Sequence, residues 1–110
     1  MVVWALARVE LLSAVARRRR ESPRAADRFA QARREFLDAS ERWAEISAVD
    51  LVRAHAERVV ERYPLRAADA LHIGAALVAC DGDPRALQFV TLDEAQATAA
   101  EREGFRVLGP

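Results

Sequence analysis

The sequence predicts an α/β fold, rich in helix, with a small parallel sheet. Two observations carry that reading. In the second half of the chain, helical stretches alternate with short apolar runs, the pattern of parallel strands joined by helical crossovers. No internal repeat, low-complexity segment or boundary divides the 110 residues, so a single domain over 1–110 is expected. A hydrophobic fraction of 52% is enough to bury a core, although the stability margin at this size is thin.

Residues 2–4 (VVW) read as the tail of a strand. From Ala5 to about Arg20 the pattern is helical, with Leu6, Val9, Leu12 and Ala16 near one face. Ser22-Pro23 offers an N-cap followed by proline at the first helical position, a start signal for a second helix running to about Trp43. Phe29, Ala32, Phe36 and Trp43 are its apolar contacts. Residues 45–49 (EISAV) form a weak strand candidate. Asp50 can cap a third helix through about Arg62, which stops before Tyr63-Pro64. A fourth, apolar helix covers about 66–80, and DGDPRA is a polar turn. Strand QFVTL follows, then a helix over about 94–103, Gly104 as its stop, and a last strand, FRVLG.

Composition excludes some classes. No run of about 18 apolar residues is present, so no membrane span is expected. The opening MVVWALARVE lacks the charged start and cleavage site of a signal peptide. A lone Cys80 rules out an internal disulfide framework and fits a reducing cytoplasm. Set in an apolar helix, that thiol reads as a small core hydrophobe. Seventeen basic residues balance seventeen acidic ones, which does not announce nucleic-acid binding. Every basic residue is Arg, whose fork suits phosphate and carboxylate. GC-rich coding bias, which also accounts for the abundant Ala, is the plainer explanation.

Three carboxylates stand where a soluble domain rarely places charge. Asp69 lies in LRAADALHIGAALVAC, Asp93 ends the run QFVTLD, and Glu10 is set in WALARVELLSAV. A buried carboxylate costs several kcal/mol unless a cation or donor satisfies it. Three at the edges of core elements point to one hard-cation site, and oxygen-only ligation suits Mg²⁺ or Mn²⁺. Each also has a plainer account. Asp93 can cap the helix opened by Glu94. Asp69 can pair with Arg66 three residues before it. Glu10 can reach Arg8 or Arg17 as a helix-face charge, the favoured reading for that residue alone. Thr91, two before Asp93, would share its strand face and lend a hydroxyl to a metal-bound water. His72 is expected as a hydrogen-bonded core residue and His55 as exposed. Arg17 to Arg20 complement the helix dipole, with a phosphate contact from Arg17 and Arg18 as the functional alternative. No GxGxxG, P-loop, CxxC pair, HExxH or GxSxG is present. Metal-assisted hydrolysis remains.

LRAADALHIGAALVAC followed by FVTLDEAQATAAEREGFRVLGP resembles the C-terminal half of a PIN domain, in particular the VapC-type toxins of bacterial toxin–antitoxin pairs. WALARVELLSAVARRRRE is similar to the family segment that carries its second acidic residue. The resemblance covers nearly the whole chain. It implies a PIN-like α/β/α sandwich and a Mg²⁺- or Mn²⁺-dependent ribonuclease acting on RNA, with a cognate antitoxin as protein partner and a cytoplasmic location. Carried over by position, Glu10, Asp69 and Asp93 match three of the family's four acidic residues. The family's opening strand, ending in an Asp, and the helix after it have no counterpart. Either the biological protein is longer, which the strand-interior look of VVW favours, or the chain is a natural remnant. A remnant would be an inactive interaction module. Folded as given, the chain is expected to cover its exposed strand edge by homodimerisation or swapping. The plainest alternative is an α/β or helical domain in which Asp69 pairs with Arg66 and Asp93 caps a helix.

Overall fold

A computed structural model describes residues 1–110 as two compact units, Met1–Glu45 and Ile46–Pro110. The first holds strand β1 (Val2–Trp4), helix α1 (Ala7–Glu21), a 3-10 turn (Pro23–Ala25) and helix α2 (Ala26–Ser40). Strand β2 (Ala44–Ile46) pairs with β1. Helices α1 and α2 pack on each other, and Arg8 Nε donates to Ser40 Oγ at 3.3 Å. Phe36 and Trp43 meet edge to face at 5.3 Å, and Trp4 and Ala7 are the buried residues of this unit.

Two sequence expectations about α2 fail here. The Ser22 side chain makes no capping bond, and proline opens the 3-10 turn rather than α2, so the helix starts at Ala26. At the other end α2 stops at Ser40, whose hydroxyl turns back onto the Leu37 carbonyl at 2.8 Å. Trp43 therefore joins the turn that feeds β2. Local backbone bonding by Ser40 competes with helix continuation there.

The second unit is built from α3 (Val49–Arg62), α4 (Ala67–Ala79), β3 (Gln88–Val90), α5 (Glu94–Arg102) and β4 (Arg106–Leu108). Strands β3 and β4 pair in parallel, with Gln88 opposite Arg106, Phe89 opposite Val107 and Val90 opposite Leu108. Helix α5 is the crossover between them. Five helices and this small parallel pair make the chain mixed α/β. No helix is long and apolar enough to cross a membrane.

Periodicity explains the core. Val52, Ala56 and Val59 recur at helical spacing on α3 and, with Tyr63 just past its end, are all buried. They meet Ala70, Ile73 and Gly74 of α4, and these two helices make the most extensive contact in the chain. Phe89 from β3 and Phe105 beside β4 stack at 5.8 Å against Ala99 and Ala100 of α5. Cys80 is buried, with its thiol on the Leu77 carbonyl at 3.2 Å, as expected of a core residue.

The helix boundaries follow local chemistry. Pro64 bars continuation of α3. Asp50, expected as its cap, lies one residue inside the helix and pairs with Arg53 at 3.3 Å, while Ala48 takes the cap position. Gly104 follows α5 at φ 104°, open to glycine without strain. The Phe105 amide reaches back to the Ala100 carbonyl and the Gly104 amide to Glu101, both at 3.0 Å. This double closure turns Phe105 into the core.

A buried charge ties α5 to α3. The Glu103 side chain is 5% exposed. It accepts from Arg58 Nη2 and from the Tyr63 hydroxyl, each at 2.7 Å, and lies 3.5 Å from Arg62. Burial pushes this carboxyl upward, but the two hydrogen bonds and the charges of Arg58 and Arg62 outweigh it, so Glu103 sits below its ordinary value. Burial, reinforced by the bond to Glu103, raises the Tyr63 phenol.

Candidate functional site

Helices α4 and α5 begin near each other, and each presents a carboxylate in its opening turn. Asp93 is the N-cap of α5, its Oδ1 accepting from the Gln96 amide at 2.7 Å. The capping role read from the sequence is therefore real, and it leaves Oδ2 outside that bond. Asp69 lies in the first turn of α4, with its side chain 22% exposed. Arg66 Nε stands 3.8 Å from its Oδ2, and that arginine is 87% exposed. An exposed pair at this separation contributes under about 1 kcal/mol. The Arg66 pair exists, as the plain reading requires, but it is weak and leaves the carboxylate accessible.

Gln96 joins the two helix starts. It is buried, and its Nε2 donates to the Asp69 backbone carbonyl at 3.2 Å. Its Oε1 accepts the Thr91 hydroxyl at 2.6 Å. Thr91 Oγ1 in turn accepts from the Asp93 amide at 3.0 Å. Thr91 is itself buried and lies just past the end of β3, so the expected shared strand face with Asp93 does not form. Its single hydroxyl proton goes to Gln96, which makes it a bracing group and not a donor to a bound water. A buried polar network of this kind holds its members rigidly when each is satisfied.

Glu10 is exposed on α1 of the first unit, the helix-face charge favoured for that residue alone, and is not sunk among apolar neighbours. Its neighbours Val9 and Leu11 are exposed as well, so apolar sequence context there does not mean burial. Arg17 and Arg18 are exposed near the end of the same helix. No three His, Cys, Asp or Glu side chains are gathered closely enough to hold a metal ion. Within the second unit, Asp69 and Asp93 supply two hard oxygen donors on adjoining elements. Mg²⁺ is commonly held by one or two carboxylates, with water and substrate phosphate completing its shell.

The two histidines stay outside this arrangement. His72 is half-buried on α4. His55, expected as exposed, is half-buried and lines a shallow hollow with Leu51, Leu77, Cys80 and Asp81.

Sequence reasoning missed Gln96. The signal was available: Asp93 and Gln96 have the spacing of a capping box, an N-cap residue with Glu or Gln three positions on. In the usual box the later side chain returns to the N-cap amide. Here Thr91 takes that amide, freeing the Gln96 side chain to reach α4. Comparison with protein-family models, curated proteins and solved structures finds no match to this chain.

Proposed function

We propose that this chain is a PIN-like, metal-dependent endoribonuclease, the toxin of a toxin–antitoxin pair, cleaving RNA phosphodiester bonds. The observation that carries the reading is the pair Asp69 and Asp93, one in the opening turn of each of two adjoining helices and both tied to buried Gln96. Asp69 and Asp93 would hold Mg²⁺ or Mn²⁺, with water and substrate phosphate completing the shell. Such an ion polarises a phosphate and generates hydroxide from water near neutral pH.

The protein's own residues have defined tasks. The Gln96 amide fixes Asp93 Oδ1, which orients that carboxylate before any ligand arrives. Arg66, exposed beside Asp69, can shift from this weak pair to a substrate phosphate, which its fork matches. Arg17 and Arg18 offer further backbone contacts. A cytoplasmic location and a cognate antitoxin belong to the same proposal.

The test is RNA cleavage by this chain with Mg²⁺ or Mn²⁺. Asp69→Asn and Asp93→Asn should each slow it at least tenfold, about 1.4 kcal/mol in the barrier. Cleavage that survives chelation, or that ignores both substitutions, would overturn the assignment.

A second reading is an inactive module that pairs with another copy of itself. What favours it is the outer face of the β3–β4 sheet. Val90 and Leu108 lie side by side there, both exposed, and Leu92 beyond them is 88% exposed. Strand β3 has one neighbour, so its other edge is open to strand addition. If this reading holds, sedimentation shows a dimer that Val90→Arg converts to monomer, with no cleavage by the parent chain. A monomeric parent would dismiss it.

A further inference from the structure

We infer that Gln96 is a positioning residue, setting the geometry of Asp69 relative to Asp93. The inference rests on the nuclease reading for its purpose, though not for its geometry. Three hydrogen bonds in series run from one acidic residue to the other. The Gln96 side chain donates to the Asp69 carbonyl at 3.2 Å, it accepts from Thr91 at 2.6 Å, and Thr91 accepts from the Asp93 amide at 3.0 Å. Both linking side chains are buried, so water does not compete for these bonds.

A glutamine suits this post for chemical reasons. It must donate to a carbonyl and accept from a hydroxyl with one planar group. Glutamate offers only the acceptor, and its charge would face the Asp69 carbonyl. Asparagine is one methylene too short to span both partners from the same backbone position. Methionine matches the length but supplies neither bond. The capping bond from the Gln96 amide to Asp93 Oδ1 uses the backbone N–H, which every residue but proline keeps. Side-chain changes at this position therefore break the bridge and spare the cap. That separates positioning from helix formation.

Residues holding ligands from outside the first coordination sphere change metal affinity 10- to 100-fold when mutated. For Gln96→Met we expect Mn²⁺ binding, measured by calorimetry on the whole chain, to weaken about tenfold with both carboxylates intact. In the metal-free protein the side-chain carboxyl ¹³C signals of Asp69 and Asp93 should both move. Those of Asp50 and Asp81, exposed and outside the bridge, should stay. Thr91→Val, which cuts the same chain at its other link, should reproduce both effects, and Thr91→Ser should match the parent. These two variants also serve if Gln96→Met fails to fold. Unmoved Asp69 and Asp93 signals in a folded Gln96→Met or Thr91→Val would overturn the inference, whatever the metal result. Absence of Mn²⁺ binding by the parent chain would instead overturn the nuclease reading, leaving the carboxyl signals to decide the role of Gln96.

Discussion

Glu103→Ala is expected to cost about 3 kcal/mol of folding stability, read from urea unfolding at neutral pH. Removing one member of a buried ion pair strands the others, at a typical cost of about 3–5 kcal/mol. The lower end applies because Arg58 and Arg62 are 40% and 59% exposed and regain water. The Tyr63 hydroxyl has no such escape, since its residue is buried and Glu103 is its acceptor. An orphaned buried donor alone costs about 1–3 kcal/mol. Glu103→Gln keeps an acceptor for Tyr63 and gives up the charge, so it should lose less than Glu103→Ala. If Glu103→Ala unfolds at the parent's urea concentration, the clamp contributes nothing.

The same group fixes a pH dependence. In the folded chain Glu103 titrates below its ordinary value of 4.5. The unfolded chain therefore takes up the proton first as pH falls. Stability from this carboxylate is complete above about 4.5 and is lost as pH drops through the lower folded value. Tyr63 acts at the other extreme. Its raised folded pKa gives stability that is complete below 10.0 and fades as pH rises past the folded value. Glu103→Gln should flatten the acid limb of the stability profile. An unchanged acid limb would assign that slope to other carboxylates.

What the sequence made legible is what depends on near neighbours. Gly104 and the Asp93 cap mark helix ends through bonds spanning three to five residues, Pro64 by lacking an amide hydrogen, and each lies where the pattern put it. The alternation of QFVTL, a helix and FRVLG yielded the parallel pair, because a strand–helix–strand unit has few other ways to close. What stayed hidden depends on distant partners. Nothing adjacent in sequence marks Glu103, because its partners Arg58 and Tyr63 lie 45 and 40 residues earlier. Gln96 likewise reaches 27 residues back to Asp69. For Glu10 the helix-face reading holds and the burial reading does not. Apolar neighbours imply burial only where another element covers that stretch, and on α1 Val9 and Leu11 remain exposed.

Gly74 sits inside the apolar helix α4, and it carries the other large expected effect. Glycine in a helix interior gives up about 1 kcal/mol relative to alanine, so its presence there needs a packing reason. A Cβ at this position would lie 2.7 Å from the Val52 carbonyl oxygen and 3.2 Å from the Ala56 amide nitrogen. Both are backbone atoms of α3 and cannot rotate aside, so any side chain at 74 pushes the two helices apart. Val52, Val59 and Ile73, buried in these helices, are the largest fully buried side chains in the chain. Separating the helices loosens contacts that nothing else replaces. Gly74→Ala gains helix propensity but should still lose about 1–2 kcal/mol, within the range for overpacked cores. Gly74→Leu should lose about 3 kcal/mol or more, at the upper end of that range, and leave little folded protein. Ala56→Gly distinguishes the cause. It removes the Ala56 methyl, 3.4 Å from the new Cβ, but leaves the carbonyl at 2.7 Å in place, so it should not rescue Gly74→Ala. Full rescue would place the conflict in side chains rather than backbone. A Gly74→Ala chain as stable as its parent in urea would mean that α3 and α4 do not cross this closely.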